Sequence, residues 1–508
     1  MPLKTLQAKT SQSKTASSMF AQLYARMPFK QNTVNNGKVV SAHSPEYFRH
    51  AIVIGGSMTG LLAGHILAKH YQQVTVIERD VYPMEPTPRK GIPQSRFLHV
   101  LLQRGQLILE ELFPGLTDEL VSHGAPLLND SQDICFFSQY GVAKKDASSI
   151  LTISPTRGLL DWIIRRRLCQ QSNIQFLEGA KVTSLVGMPD QKGIGGVHVK
   201  TADGEQTLMA NLVIDASGKT SKAPQWLQAL GYEAPDETFL DARIGYAHRI
   251  YELPSQPSVE WKAAIVWPSL PDQTRAAILF PVEGDRWIVG LGGAAPDYPP
   301  TNEAEYLEYA RSLPTPEIYN AIKDAKPLSG IYVYRGNENR LRAYEKLAVY
   351  PDNFLVMGHA ACAFNPVYGQ GITMAAIEAQ ILDHALHQLP DALRSDWCQT
   401  IQQQFAKAEE IPWSMATEMD QQYINRNQPH TLLERFNNWY QSQLLALITR
   451  DAKVYERMTR VNHMLDKPHN LVAPGILLKI MAHQVRAWAL PKHELDEPPL
   501  LTTLTGQR

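Results

Sequence analysis

The first apolar segments of the chain alternate with a glycine-rich loop and a helix-like segment. The apolar run His50–Ile54 is typical of a strand buried on both faces of a parallel sheet. After the loop Gly55–Gly60, apolar residues at helical spacing predict a helix over Leu61–His70, and Val74–Ile77 predicts a second strand. These elements make a β-loop-α-β unit of about 30 residues, the length that such a unit needs.

Further strands of two kinds follow this unit. Leu212–Ile214 and Asn353–Met357 are short buried-strand runs, and the second leads into a predicted helix that begins at Ile372. Between them lie aromatic-rich runs and a hairpin turn at Val282–Arg286, which predict a mostly antiparallel sheet. These runs are Ile244–Tyr251, Ala263–Trp267, Arg275–Pro281, Trp287–Leu291 and Ile331–Arg335. From Pro390 to about Pro491 the pattern becomes helical, with amphipathic runs at Trp397–Ala408 and His430–Thr449.

The composition excludes several classes of protein. Of the 508 residues, 44% are hydrophobic and 19% are charged, which is typical of globular proteins. The 49 Lys and Arg residues balance the 50 Asp and Glu residues, so the net charge predicts no binding to nucleic acid. No stretch approaches the ~20 apolar residues of a membrane span. Four widely separated cysteines predict free thiols, so we expect a soluble, cytoplasmic protein.

Residues 1–49 differ in composition from the rest of the chain. They are rich in Ser, Thr, Gln, Asn and Lys, and Glu46 is their only acidic residue. A transit peptide shares this acid-poor composition but is usually richer in arginine, whereas Arg26 is the only arginine before Arg49. We therefore predict a disordered N-terminal arm over residues 1–49.

The loop after the first strand has the features of a dinucleotide-binding loop. Gly55 suits the tight turn off the strand, and Gly60 lets the helix pack closely on the sheet. The free amides of the first helical turn then face a pyrophosphate at the positive end of the helix dipole. Ser57 stands where most such loops have a second glycine. The alternative is a tight strand–helix turn that binds no ligand.

An acidic residue at the end of the second strand supports the dinucleotide interpretation. Glu78 lies 23 residues after Gly55, about the offset at which an acid accepts the ribose hydroxyls. We predict that the adenine-dinucleotide site comprises Gly55, Ser57, Thr59, Gly60, Glu78 and Arg79.

Motifs farther along the chain resemble a known class of flavoenzymes. Gly358–Gly371 reads GHAACAFNPVYGQG, where the FAD-dependent aromatic hydroxylases of the para-hydroxybenzoate hydroxylase fold have G-D-A-A-H-x-x-P-P-x-x-G-Q-G. The chain most closely resembles the FAD epoxidases of bacterial polyether biosynthesis, in three segments: Arg89–Gln94 (RKGIPQ), Glu110–Gly115 (EELFPG) and Phe364–Gly369 (FNPVYG). The resemblance extends from about Arg49 to Leu389 and implies FAD as the dinucleotide.

The resemblance implies an α/β fold with a particular domain order. A Rossmann-like, glutathione-reductase-like FAD-binding domain is expected at residues 50–125, 150–235 and 340–390. A mostly antiparallel substrate-binding sheet is expected at residues 126–149 and 236–339, and a helical region at 391–508.

The resemblance also implies further cofactor-binding residues. They are Arg157, Asp215, Gly358, His359, Pro366, Gly369, Gly371 and Ile372. The helix that begins near Gly371 would face the negative charge that develops on the flavin ring. For Arg157 a surface helix-cap role stays open, and for Asp215 a structural role does. His359 departs from the family, which has aspartate there; neutral imidazole can accept a ribityl hydroxyl but carries no fixed charge, so FAD would bind more weakly.

Aromatic residues of the predicted sheet supply a candidate substrate pocket. Tyr246, Trp267 and Phe280 lie on its strands, and Tyr368 lies in the glycine-rich segment. Plain core packing is the alternative for each of them. The chain shows no Ser-His-Asp spacing and no metal-ligand cluster, so no catalytic side chain is predicted and the cofactor performs the chemistry.

The resemblance implies an FAD-dependent monooxygenase. NAD(P)H would reduce the flavin transiently, O2 would add at C4a, and the hydroperoxide would epoxidise or hydroxylate a lipophilic polyketide, terpenoid or aromatic metabolite. One alternative is a reductase of isoprenoid double bonds, and another is a degenerate flavoprotein that only binds a partner. The W-x-W-x-I-P motif of flavin halogenases is absent. The apolar face of Gly475–Leu490 fits a weak membrane-surface contact, a cap on the pocket, or packing on the protein body.

Overall fold

The structure is a computed structural model, and it describes residues 49–89, 91–146, 148–388 and 396–489. The predicted N-terminal arm, apart from Arg49, lies outside the described residues. The last part of the predicted C-terminal helical region, residues 490–508, lies outside them as well.

Strands and helices alternate through the first two-thirds of the described chain, and helices make up its last part. The strands are β1 His50–Ile54, β2 Gln73–Glu78, β3 Leu127–Asn129, β4 Ile134–Ser138, β5 Gly141–Val142, β6 Leu151–Ile153, β7 Ile174–Glu178, β8 Lys181–Gly187, β9 Ile194–Thr201, β10 Gly204–Met209, β11 Leu212–Asp215, β12 Glu237–Leu240, β13 Ile244–Glu252, β14 Ala263–Val266, β15 Ala276–Val282, β16 Arg286–Ala294, β17 Tyr332–Tyr334, β18 Asn339–Arg342, β19 Phe354–Val356 and β20 Cys362–Ala363. The helices are α1 Met58–Ala68, α2 Gln103–Leu112, α3 Leu116–Ser122, α4 Asp130–Asp133, α5 Arg157–Leu168, α6 Ala223–Ala229, α7 Glu303–Arg311, α8 Glu317–Ile322, α9 Gly371–His387, α10 Trp397–Asn425, α11 Leu432–Ile448, α12 Ala452–Asn462 and α13 Pro474–Ala489.

A five-stranded parallel sheet forms the centre of the molecule. Its strand order is β19-β11-β1-β2-β7, so strands that are distant in sequence lie side by side. In β1 the residues from Ala51 to Ile54 are all buried, as expected for a central strand that is covered on both faces. Because parallel strands end at the same edge, the loops after β1, β11 and β19 come together there.

A seven-stranded, mostly antiparallel sheet forms a second layer, in the order β17-β13-β16-β15-β14-β4-β5. Only the β14–β4 pair is parallel. Helices α7 and α8 cover one face, where Tyr306 and Ile318 pack with Trp287. We call the opposite face the floor; Phe97 and Leu98 pack on it.

The C-terminal helices pack on both layers. Helix α10 lies beside α9, and α11–α13 share an apolar cluster with Phe136 of the second sheet. No helix in the described ranges is both long and apolar enough to cross a membrane. The mixed α/β fold with a helical C-terminal part, predicted from the sequence pattern, is confirmed.

Candidate functional site

The glycine-rich loop after β1 has the tight geometry that the sequence predicts. Gly55 has a φ of +96°, and its amide donates to the Ile77 carbonyl at 2.8 Å. A Cβ at Gly60 would lie 1.8 Å from the Gly55 carbonyl oxygen, so only glycine permits this approach of helix to strand. Helix α1 begins at Met58, and Ser57 does not cap it through its side chain. The first amides of α1 are therefore available to a ligand at the helix terminus.

Glu78 lies at the end of β2 and faces this loop. Its carboxylate accepts from the Gly56 amide at 2.9 Å and from the Asp80 amide at 3.0 Å. Arg89 lies 3.1 Å from the same carboxylate, and its guanidinium also donates to the Gly56 carbonyl. Sequence reasoning assigned no role to Arg89, because its partners precede it by 11 and 33 residues.

Two other residues that were predicted to bind the dinucleotide, Arg79 and Thr59, differ in exposure. Arg79 is exposed and donates to the Gly91 carbonyl at 3.2 Å, away from the glycine loop. Thr59 is half-buried and faces Gly358, where a Cβ would lie 2.5 Å from the Thr59 Oγ1. The glycine loop and the Gly358 segment thus meet directly at the sheet edge.

Arg157 reaches the loop from helix α5. Its Nη2 donates to Ser57 Oγ at 3.0 Å, and its Nε donates to Asp161 at 2.7 Å. Only 7% of Arg157 is exposed, and Thr156 caps the helix in its place. The fold therefore brings a buried guanidinium to the serine that replaces the usual glycine.

Asp215 is held within the protein at the end of β11. It is fully buried and accepts from the Ser217 amide at 2.9 Å and from Ser221 Oγ at 2.5 Å. Burial raises the pKa of Asp215, although these hydrogen bonds oppose the rise. These contacts hold the turn after the strand in place, which is a structural role for Asp215.

His359 lies against the start of helix α9. Its Nε2 is buried and has no hydrogen-bond partner among the described residues, and a Cβ at Gly371 would lie 2.8 Å from it. Burial, together with the positive charges of Arg157 and Lys219, lowers the pKa of His359 to about 4. The imidazole is therefore neutral at pH 7, with one ring nitrogen free for a ligand.

The segment before α9 is tied to helix α10 by one buried carboxylate. Asp420 accepts from Tyr368 Oη at 2.5 Å, from Asn339 Nδ2 at 2.6 Å and from Asn365 Nδ2 at 3.1 Å. Gly369 follows with a φ of +68°. Pro366 is exposed and Ile372 is buried.

Sequence reasoning missed Asp420. The available signal was its helical spacing with Ala416 and Tyr423, both buried, which puts the acid on the buried stripe of α10.

Three of the four predicted pocket residues lie on the floor or next to it. Tyr246 lies on β13 and contacts Phe97 edge to face, with ring centroids 5.4 Å apart. Phe280 is almost completely buried and packs with Leu128. Trp267 follows β14 and stacks near Phe136, with centroids 5.9 Å apart. The fourth, Tyr368, points its hydroxyl to Asp420 instead.

Part of the floor is open. Ile265, Ile278, Ala276 and Gly292 are each partly exposed, although their neighbours along the strands are mostly buried. The strand register makes them contiguous: Ile265 pairs with Ile278, and Ala276 pairs with Gly292. This apolar row lies on the side from which Val100 also reaches Gly369, where a Cβ would be 3.5 Å from the Val100 carbonyl oxygen.

One group of side chains has spacing that suits a metal ion. Ligand atoms of His70, Asp383 and His387 lie within 4.8 Å of one another. Asp383 is also 3.2 Å from the Lys69 ammonium, whose positive charge competes with a cation. That the protein has no metal site stays a prediction.

The residues present fit FAD. The glycine loop, a helix terminus with free amides, a carboxylate at the end of β2, a buried arginine and the unpaired His359 nitrogen converge on one edge of the parallel sheet.

Comparison with known proteins agrees with this fit. Residues 49–389 match the family described as FAD binding domain. Protein Rv3254 of Mycobacterium tuberculosis is 28% identical over 467 residues, covering 88% of this chain and 96% of that protein. A kynurenine 3-monooxygenase of Salinispora arenicola is 26% identical over 368 residues, covering 67% of this chain and 73% of the enzyme.

Solved structures share the fold at low sequence identity. A p-nitrophenol 4-monooxygenase of Pseudomonas putida superposes with a TM-score of 0.58 at 17% identity, over 81% of this chain and 96% of that one. A flavin-dependent brominase superposes with a TM-score of 0.59 at 16% identity, over 86% of this chain and all of that one. At these identities the likeness shows the fold alone.

Proposed function

Because this chain belongs to the FAD binding domain family and is an FAD-dependent monooxygenase, we propose that it hydroxylates or epoxidises a lipophilic small molecule. NAD(P)H is the proposed electron donor and O2 the co-substrate. The open apolar row of Ile265, Ile278, Ala276 and Gly292 carries the proposal. An apolar site of this kind favours a substrate with a large hydrocarbon or aromatic part.

The proposal gives each cofactor-binding residue a task. The first amides of α1, with Ser57 and Arg157, hold the pyrophosphate. Glu78 accepts the ribose hydroxyls, and His359 accepts a ribityl hydroxyl through its unpaired Nε2. The amides at the start of α9 face the flavin ring. When bound, FAD supplies electron transfer from NAD(P)H and the activation of O2.

Three assays separate this proposal from its alternatives. A yellow protein with stoichiometric FAD is expected, and a colourless protein that takes up no FAD supports the degenerate binding protein. NAD(P)H consumption that requires both O2 and a substrate is expected. Substrate reduction that continues without O2 supports the isoprenoid reductase instead.

We also propose that the C-terminal helices contact a membrane surface, from which a lipophilic substrate is taken. Large apolar side chains are exposed along one stripe of α11 and one of α13. They are Leu432, Leu433, Phe436, Trp439, Leu477, Leu478, Met481 and Val485. The sequence of α13 contains Lys479 and Arg486 and no acidic residue, but Lys479 is paired with Asp451, so the proposed contact rests on the apolar side chains.

Vesicle binding tests the membrane contact. The protein should sediment with phosphatidylglycerol-containing vesicles, and the double variant Leu478→Glu, Met481→Glu should remain in the supernatant. Leu328→Glu changes an exposed leucine outside these helices, and this variant should bind like the unaltered protein. Equal sedimentation of all three proteins contradicts the membrane contact. It is also contradicted if the unaltered protein does not bind vesicles and the double variant only loses self-association.

A further inference from the structure

One histidine on the floor is buried without a polar partner. His248 lies in the middle of β13 and is 5% exposed. Neither of its ring nitrogens has a hydrogen-bond partner within the described ranges. The ring lies directly over the neighbouring strand, because a Cβ at Gly290 would be 2.3 Å from its Nε2. The glycine at that position therefore makes room for the imidazole.

The surroundings of His248 are aromatic. Phe97 lies 4.9 Å away between ring centroids, and Tyr246 lies 5.2 Å away in an edge-to-face arrangement. His99 is the titratable neighbour that acts on it electrostatically. These neighbours leave the hydrogen-bonding capacity of the imidazole unused.

The open part of the floor begins beside this histidine. His248 pairs with Gly290, which pairs with the partly exposed Ile278. Tyr246 pairs with Gly292, where a Cβ would have no neighbouring atom closer than 3.9 Å. Gly292 could therefore accept a Cβ without displacing its neighbours, and it is partly exposed, at the next residue pair on this face of the sheet from the unpaired imidazole.

A buried polar group without a partner loses its hydrogen bonds to water and receives nothing in return. We propose that His248 is the polar anchor of the substrate site, where it forms a hydrogen bond with a hydroxyl or carbonyl group of an otherwise apolar substrate. The inference rests on the proposed function and narrows its substrate class. The imidazole orients the substrate, while the flavin performs the oxygen transfer.

The charge state of the imidazole selects the polar group. Burial and His99 lower the pKa of His248 to about 3, so the ring is neutral, with one N–H donor and one nitrogen acceptor. A neutral hydroxyl or carbonyl matches this pair. A carboxylate would lose its hydration at this site without gaining a compensating charge from His248.

Binding of three matched probes tests the anchor. The oxidised, FAD-loaded protein is titrated without NAD(P)H with 1-naphthol, naphthalene and 1-naphthoate, and the flavin absorbance change reports binding. The unaltered protein should bind 1-naphthol about 10-fold more tightly than naphthalene, and should bind 1-naphthoate more weakly than either. His248→Leu should bind 1-naphthol and naphthalene equally, with the naphthalene affinity retained. His248→Asn, which keeps a donor and an acceptor, should preserve part of the preference.

Two controls isolate the role of His248. His65→Leu alters a half-buried histidine on α1 whose Nε2 is also buried and unpaired, and it should leave the naphthol preference unchanged. Removing unpaired polar atoms should also raise the thermal unfolding midpoint of His248→Leu. An unchanged naphthol preference in His248→Leu overturns the inference, and so does a lowered unfolding midpoint. Failure to take up FAD contradicts the proposed function, whereas FAD uptake without His248-dependent discrimination contradicts this inference alone.

Discussion

Replacing Asp420 by alanine removes the acceptor that three side chains near the proposed flavin site share. Asn339, Asn365 and Tyr368 all donate to this carboxylate, which is fully buried on α10. Asn339 also accepts from the Asn365 amide at 2.7 Å, so the contacts form one network. The network fixes the segment that leads to Gly369 and the start of α9.

The size of the effect follows from the number of donors left unpaired. Each buried donor without an acceptor costs about 1–3 kcal/mol. The two asparagine amides bear the full cost because both residues are buried, whereas the half-buried Tyr368 regains some contact with water. We expect Asp420→Ala to lower the free energy of unfolding by about 3–5 kcal/mol, as when one partner of a buried charged network is removed.

Denaturant unfolding and FAD titration measure the two consequences. Asp420→Ala should unfold at clearly lower urea concentration and bind FAD more weakly, because the segment facing the flavin loses its anchor. Tyr368→Phe removes one donor and should cost about 1 kcal/mol. An Asp420→Ala protein with unaltered unfolding and unaltered FAD affinity would refute the reasoning.

Three further outcomes are expected. Gly60→Ala puts a Cβ 1.8 Å from the Gly55 carbonyl oxygen and should lower the affinity for FAD at least ~10-fold in titrations. Gly64→Ala is the control: its Cβ would meet only the Val76 side chain, at 3.1 Å, and the FAD affinity should not change. His359→Asp adds a carboxylate near Arg157 and Lys219 and should tighten FAD binding; weaker binding contradicts the proposed place of His359. His248 and His359 have pKa values of about 3 and 4 when folded, against about 6.5 when unfolded. The unfolded chain therefore binds more protons at these two histidines below pH 6.5, so His248→Leu should lose less stability between pH 7.5 and pH 5 than the unaltered protein does.

The glycine loop and its strand–helix unit were predictable from sequence because their requirements are local. A positive φ at Gly55 and the absence of a Cβ at Gly60 are demands on single residues within one short unit. The burial of β1 on both faces follows from its apolar run alone. The cofactor class came from motifs spread along the chain, and the family match agrees with it.

The contacts that make these segments into a site depend on residues far apart in sequence. Arg157 meets Ser57 across 100 residues, and Asp420 meets Asn339 across 81. No periodicity specifies such a pairing, because it depends on which strands and helices become neighbours.

The sequence by itself predicted the elements, and its resemblance to a class of flavoenzymes predicted the fold and FAD, whereas the tertiary structure decided which side chains remain free to act. Tyr368 was a pocket candidate by composition, yet its hydroxyl is bound to Asp420. His248 carried no signal in the sequence, yet it is left unpaired beside an open apolar row. The physical reason is that a side chain's chemistry depends on its burial and its partners, and packing between distant segments sets both.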